Sequence, residues 1–135
     1  MHTPEVVAES LEHVSTDVVS ILVVDDDEDI RWLFNHILSA AGYDVEATHD
    51  SYKALEMIRE KEFDIAILDY ILPEMRGSEL AEEMRKIKPH MKIVFITGFA
   101  EFADDVNNEE SGYTQHALIK PVTQQTLLQT IKMIE

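Results

Sequence analysis

Residues 63–69 read FDIAILD, a short apolar run that ends on an aspartate. A second run of this kind, ILVVDD at residues 21–26, ends on two aspartates. Short continuous apolar runs are typical of strands that are buried on both faces of a parallel sheet. The two segments therefore predict central strands, each with carboxylates at its C-terminal end.

Strands and helices alternate in the rest of the sequence. Further strands are predicted at residues 44–48, 92–96 and 116–119. Helices with regular apolar spacing are predicted at residues 28–41, from residue 51, at 78–87 and at 123–134. In the first two helices we expect Leu33 to face inward and Ser51 to act as the N-cap. The acidic stretch after Gly98 predicts a short fourth helix, and the alternation predicts an α/β fold with a parallel sheet covered on both faces.

Composition limits the class of protein. The chain has 135 residues and is 45% hydrophobic, which suits one domain with a substantial core. It carries 27 acidic and 11 basic residues, for a net charge of −16. Because such a chain repels nucleic acid and anionic lipid, direct DNA binding is not expected. The absence of cysteine excludes disulfides, thiol nucleophiles and thiolate zinc sites.

The N-terminal region has a different character from the rest of the chain. Residues 1–19 include acids and no apolar core of a signal peptide, so we expect an extension there and one domain over residues 20–135. No apolar run reaches the roughly 18 residues that a membrane-spanning helix requires. By elimination, the sequence predicts a cytoplasmic protein without a membrane partner.

Four of the five predicted strands end on a polar side chain with chemical potential. These residues are Asp25 and Asp26, Asp69, Thr97, and Lys120. In open α/β sheets, ligands bind beyond the carboxyl ends of the strands, where the winding reverses. We therefore expect three carboxylates, a hydroxyl and an ammonium group at one edge of the sheet.

This set of groups suits phosphoryl transfer. Neighbouring carboxylates repel each other, and a hard cation with oxygen ligands relieves that repulsion. Mg²⁺ fits because it takes few protein carboxylates and keeps several waters. A metal ion, a lysine and a hydroxyl around one carboxylate can position a phosphoryl group and neutralise its oxygens, and an aspartate can accept it covalently.

Four segments of the chain resemble the receiver domains of two-component response regulators. They are ILVVDDDEDIR, DIAILDYILPEMRG, IVFITG and ALIKPV, in this order over residues 21–134. Pro73 and Gly77 follow Asp69 by four and eight residues, as in the family's phosphoacceptor loop. The resemblance implies a flavodoxin-like, doubly wound sheet of five parallel strands in the order 2-1-3-4-5, with five helices, as in the chemotaxis regulators.

The resemblance also implies a metal site. Asp26 would bind Mg²⁺ directly and Asp25 mainly through water, while Asp69 would supply a further carboxylate oxygen. Ile71 would offer its backbone carbonyl, which leaves its side chain free to vary. Mn²⁺ is the alternative ion for the same oxygen ligands.

For phosphoryl transfer, the resemblance implies that Asp69 accepts the group from a histidine kinase or a phosphotransfer protein. Thr97 would bond one phosphoryl oxygen, and Lys120 would pair with another. The domain would then catalyse only its own phosphorylation and dephosphorylation, and would signal through an output protein that the sequence does not identify. A homodimer is one form that such signalling takes.

The chain departs from the family pattern at one position. Family members usually carry Tyr or Phe three residues before the lysine of the fifth strand, and Ala117 stands there. Phe99 or Phe102 could replace this aromatic switch, or loop and helix rearrangement could serve instead. The alternative function is accordingly an interaction module that does not depend on phosphorylation.

Other meanings of the aspartate cluster are less well supported. Asp25, Asp27 and Asp29 imitate a Ca²⁺-binding loop, but Ile30 stands at its glycine position and His36 at its final glutamate position. The first two also imitate the motif of haloacid-dehalogenase-like phosphatases, in which Thr or Val usually stands where this chain has Asp29. We expect Asp27 to cap the first helix.

Overall fold

Helices and strands alternate as the apolar patterns predicted. A computed structural model describes residues 18–108 and 113–135. Within these ranges the strands are β1 Ser20–Val24, β2 Asp44–Thr48, β3 Ile65–Asp69, β4 Lys92–Thr97 and β5 Gln115–Ile119. The helices are α1 Glu28–Ala40, α2 Ser51–Glu60, α3 Gly77–Ile87, α4 Ala100–Asn108 and α5 Gln124–Ile134. The boundary drawn between residues 19 and 20 stays a prediction, because residues 1–17 lie outside the described ranges.

The five strands form one parallel sheet in the order β2-β1-β3-β4-β5, which confirms the expected topology. Every residue of β1 and β3 is buried, as their continuous apolar runs predicted. The edge strands β2 and β5 are only partly buried. The winding reverses between β1 and β3, so the C-terminal ends of these strands flank the crevice where such sheets bind ligands.

Side chains of each strand alternate between two hydrophobic cores. In β1, Leu22 and Val24 face the core formed with α2, α3 and α4. Ile21 and Val23 face the opposite core, formed with α1 and α5. The sheet is therefore covered on both faces, which fixes the strand ends relative to one another.

The helix caps agree with the sequence in one case and correct it in another. Asp27 caps α1, since its carboxylate accepts from the backbone N–H groups of Asp29 and Ile30. The prediction that Ser51 caps α2 is wrong. Asp50 is the cap and Ser51 is the first helical residue, because the carboxylate one position earlier reaches the free N–H groups of the first turn.

Two further expectations concern individual helices. Leu33 was expected to face inward, but its side chain is exposed, because the buried stripe of α1 consists of Phe34, Ile37 and Leu38. Nine residues of the fourth helix lie in the described ranges, and its predicted shortness stays a prediction because residues 109–112 lie outside them. No helix in the part of the chain that the structure describes has the length and apolar character needed to span a bilayer.

Candidate functional site

The polar strand ends meet at the C-terminal edge of the sheet. Asp25 and Asp26 follow β1, Asp69 ends β3 and Thr97 ends β4, while Lys120 follows β5. One carboxylate oxygen from each of the three aspartates lies within 4.8 Å of the others. The parallel pairing of β1 with β3 brings these carboxylates together, although they are more than 40 residues apart in sequence.

Lys120 reaches into this carboxylate cluster. Its Nζ lies 3.4 Å from Oδ2 of Asp69 and 3.9 Å from Oδ2 of Asp25. The backbone N–H of Lys120 donates to the carbonyl of Thr97 at 2.7 Å, which ties the end of β5 to the end of β4. The Lys120–Pro121 peptide is cis. The ammonium group therefore bridges two of the three carboxylates from a position fixed by the sheet.

Asp25 is held through several of its polar groups. Its N–H donates to the carbonyl of Thr48 at 3.2 Å, and its Oδ1 accepts from the N–H of Asp27 at 2.9 Å. Its own carbonyl accepts from Nη1 of Arg31 at 2.8 Å. Oδ2 is buried without a hydrogen-bond partner among the described residues. A buried acceptor of this kind is costly unless a cation approaches it.

Asp69 and Thr97 are both buried at the ends of their strands. Oδ1 of Asp69 accepts from the N–H of Ile71 at 3.3 Å. The loop that follows requires glycine at position 77, because a Cβ on Gly77 would lie 2.5 Å from the carbonyl oxygen of Asp69. The hydroxyl oxygen of Thr97 accepts from the N–H of Phe99 at 3.1 Å. These contacts fix the Asp69 carboxylate and the Thr97 hydroxyl before any ligand binds.

Burial makes the cluster a poor place for negative charge. Burial raises the pKa of Asp25 from 3.8 to about 6; the N–H of Asp27 and the charge of Lys120 oppose this shift, while the charge of Asp69 adds to it. Burial also raises the pKa of Asp69, against the opposing charge of Lys120. The charge of Lys120 therefore does not offset the cost of burying the carboxylates of Asp25 and Asp69, and a divalent cation would reduce that cost.

The donor set fits a hard divalent cation. It consists of carboxylate oxygens, and Oδ2 of Asp25 is a buried acceptor without a hydrogen-bond partner in the described ranges. Oxygen ligands of this kind suit Mg²⁺, whereas Zn²⁺ and copper prefer nitrogen and sulfur. The backbone carbonyl of Ile71 as a further ligand stays a prediction.

At position 117, where the family pattern has an aromatic residue, the backbone is hydrogen-bonded by a side chain of α4. Ala117 is buried, and its backbone N–H and carbonyl both bond the side-chain amide of Asn107, at 2.9 and 3.2 Å. Phe102, one of the two aromatic candidates, stacks on Tyr70, the residue after the candidate phosphoacceptor. Phe99, the other candidate, is 60% exposed.

Sequence reasoning missed Arg31 and Asn107. Arg31 carried one signal, because a cation in the first turn of a helix can reach back to the strand end six residues before it. Asn107 carried none, since its contact depends on how α4 lies against β5. Both residues act on backbone groups, which a motif does not reveal.

Comparison with known proteins identifies the family of the chain. The profile of the response regulator receiver domain matches residues 21–132. The response regulator receiver protein CpdR of Brucella abortus (strain 2308) is 41% identical over 83 residues, which cover 62% of this chain and 69% of CpdR. The response regulator MprA of Mycobacterium ulcerans (strain Agy99) is 33% identical over 116 residues, which cover 86% of this chain and 50% of MprA. The chain thus spans half the length of MprA.

Among solved structures, the response regulator TrrA of Thermotoga maritima, determined in complex with Mg²⁺-BeF, has a TM-score of 0.76 and 28% identity. That match covers 87% of this chain and all of TrrA, 100%. The profile match alone spans most of the described residues and includes every strand end that contributes to the site. This chain belongs to the response regulator receiver domain family of two-component systems.

Proposed function

We propose that this domain accepts a phosphoryl group on Asp69 in a Mg²⁺-dependent reaction and passes the signal on through protein contacts. The observation that supports this most directly is the geometry around Asp69. Its Oδ2 lies 3.4 Å from Nζ of Lys120, and its carboxylate shares a 4.8 Å cluster with Asp25 and Asp26. A carboxylate flanked by a lysine and a cation-binding group is arranged for phosphoryl transfer.

The proposed metal ligands are the carboxylates of Asp25, Asp26 and Asp69 and the backbone carbonyl of Ile71. When bound, Mg²⁺ would neutralise charge on the oxygens of the transferred group. Asp25 contributes through Oδ2, since its Oδ1 is occupied by the N–H of Asp27. Mn²⁺ is the alternative ion, and a titration with both ions tests the choice.

In the proposed reaction, a carboxylate oxygen of Asp69 attacks the phosphorus of a phosphohistidine. A P–O bond forms and the P–N bond breaks. The electron pair of the broken bond stays on the imidazole nitrogen of the donor, which takes a proton from water. Lys120 pairs with one phosphoryl oxygen, and the hydroxyl of Thr97 donates to another. Both groups come from strand ends, so little reorganisation is required.

The partners we propose are a histidine kinase or phosphotransfer protein as the donor and a separate protein as the output. Turnover of an external substrate, direct nucleic-acid binding and a membrane partner are not part of the proposal. A cytoplasmic location and a homodimer stay predictions. The acidity of the chain, −16 overall, favours partner surfaces that are basic.

A second candidate function is an interaction module that works without phosphorylation. The observation that favours it is Ala117, where a side chain too small for the usual switch stands against α4. The intact carboxylate cluster and Lys120 favour phosphorylation instead. The two candidates differ in whether the state of Asp69 changes partner binding.

Intact-mass measurement after incubation with acetyl phosphate and Mg²⁺ tests the proposal. We expect a gain of one phosphoryl group that is lost in Asp69→Asn and on chelation of the metal. Asp104→Asn, on the exposed face of α4, removes the same charge and should leave the gain intact. Absence of any gain, with acetyl phosphate and with a competent kinase, contradicts phosphoacceptance and favours the second candidate.

A further inference from the structure

Arg31 connects α1 to the end of β1. It lies in the first turn of the helix, and its Nη1 donates to the backbone carbonyl of Asp25 at 2.8 Å. A hydrogen bond from a guanidinium group is stronger than one between neutral groups. The side chain is half-buried, so the contact is partly shielded from water.

The carbonyl of Asp25 lies where the sheet no longer supplies partners. Pairing of β1 ends at Val24 on both sides, opposite Thr48 of β2 and Leu68 of β3, one residue before Asp25. Asp25 itself is only 2% exposed, so water has little access to its polar groups. Arg31 supplies the bond that the strand pairing does not, and it fixes the peptide that joins Asp25 to Asp26.

Within the described ranges, these contacts leave one polar atom of Asp25 without a hydrogen bond. The N–H is bonded to Thr48, the carbonyl to Arg31 and Oδ1 to the N–H of Asp27. Oδ2 remains, buried and facing Lys120 at 3.9 Å. The residue is thus held in the orientation that turns this single oxygen toward the carboxylate cluster.

We propose that Arg31 is a positioning residue for the metal site: it holds the main chain between Asp25 and Asp26 so that both carboxylates face Asp69. The proposal rests on the Mg²⁺ site of the proposed function. Among the described residues, Arg31 makes no hydrogen bond to a carboxylate of the cluster. Its bond is to the backbone carbonyl of Asp25. Removal of a group that orients a metal ligand typically weakens metal binding by about 10- to 100-fold.

The direction of the change in Mg²⁺ affinity distinguishes a positioning role of Arg31 from an effect of its charge. A positive guanidinium near an acidic cluster repels an incoming Mg²⁺, so the loss of charge alone should tighten metal binding. The loss of orientation should weaken it. Arg31→Met removes both the charge and the donor while keeping a similar length and apolar stem. Weaker binding in this variant therefore reports positioning, in spite of the lost charge.

Calorimetric titration of the unphosphorylated protein with MgCl₂ is the test. We expect Arg31→Met to weaken Mg²⁺ binding about tenfold. Arg31→Lys, which keeps a donor and the charge, should restore most of the affinity. Arg59→Met is the matched control, because Arg59 is exposed in the last turn of α2 and its loss changes only the net charge. Unchanged or tighter binding in Arg31→Met would overturn the proposal.

Two further measurements complete the test. The Mg²⁺ concentration for half-maximal phosphorylation should rise in Arg31→Met, while the rate at saturating Mg²⁺ stays within about twofold of the unchanged protein, since the ion restores the orientation when bound. If Arg31→Met does not fold, Arg31→Gln replaces it, because its shorter amide loses the charge and does not reach the carbonyl. If Arg31→Met binds Mg²⁺ more weakly but the unchanged protein gains no phosphoryl group, the positioning role of Arg31 is supported and the proposed function is contradicted.

Discussion

Two helices of this domain each contact the backbone of the sheet through one polar side chain. One contact is to a central strand and the other is to an edge strand. Arg31 of α1 bonds the carbonyl of Asp25 at the end of β1, a strand that is buried at every position. Asn107 of α4 bonds both backbone groups of Ala117 in β5, which is an edge strand. The Arg31 contact orients the end of a strand that is already fixed by burial in both cores. The Asn107 contact helps to attach α4 to the sheet.

The edge contact imitates a neighbouring strand. β5 pairs with β4 on one side, and the N–H and carbonyl of Ala117 point to the open side. The amide of Asn107 offers an acceptor and a donor in the arrangement that another strand would provide, which also protects the edge from pairing with other chains. We call the C-terminal ends of β1 and β3 the central region, and the open side of β5 the edge. Changes in the central region should alter phosphorylation, and changes at the edge should alter mainly local stability.

The largest effect is expected at Lys120, which joins the two regions. Lys120→Met removes the ammonium group 3.4 Å from Oδ2 of Asp69. The rate of phosphorylation by acetyl phosphate should fall by about 100-fold or more, as for the loss of one group that stabilises developing charge. Lys132→Met, on the exposed face of α5, should leave the rate unchanged. A similar rate in both variants would show that the central region works without this lysine.

A second prediction concerns pH and the acidic end of β1. Because the pKa of Asp25 is raised to about 6, the folded state binds its proton more tightly than the unfolded state does. Its contribution therefore favours folding at low pH and is lost as the pH rises from about 4 to about 6. A shift of this size corresponds to at most about 3 kcal/mol. Without divalent cations, Asp25→Asn should raise the stability at pH 7 by up to that amount.

Chemical denaturation at pH 4.5 and pH 7, with and without Mg²⁺, measures this effect. The gain from Asp25→Asn should be larger at pH 7 and should disappear when Mg²⁺ is added, since the ion stabilises the unchanged protein more. Asp104→Asn provides the control for net charge on an exposed helix face. A loss of stability in Asp25→Asn at pH 7 without metal would mean that burial of this carboxylate is not costly.

The smallest effect is expected at the edge. Asn107→Ala removes two hydrogen bonds to Ala117 from a side chain that is itself exposed, so the cost should be about 1 kcal/mol. The N–H of Ala117 should exchange with solvent about fivefold faster, as a free-energy change of this size allows. Asn108→Ala, the next residue in the same helix, should change neither value. Equal exchange in the two variants would show that the amide does not hold the edge.

Sequence predicted the central region better than the edge for a physical reason. Asp25, Asp69 and Lys120 end segments that are strands by their apolar runs, and the parallel topology alone brings strand ends together. The absence of an aromatic residue at Ala117 was also visible. The hydrogen bonds of Asn107 to the backbone of Ala117 were not, because they depend on the placement of α4 against an edge strand.

The wrong predictions for the cap of α2 and for Leu33 also arose because sequence spacing does not fix local geometry. Asp50 and Ser51 are both good capping residues, and only the backbone conformation decides between them. Leu33 lies at the border of the apolar stripe of α1, where a helical pattern allows either orientation. The pairing of Arg31 with the carbonyl of Asp25 required the direction of a long side chain, which spacing does not give.

The most direct test of the central claim is to locate the phosphoryl group chemically. Borohydride reduces an aspartyl phosphate to homoserine, and peptide mass spectrometry then identifies the reduced position. After treatment with acetyl phosphate and Mg²⁺, we expect homoserine at position 69 and at no other aspartate. Homoserine at position 25 or 26, or none at all in protein that has gained a phosphoryl group, would contradict it.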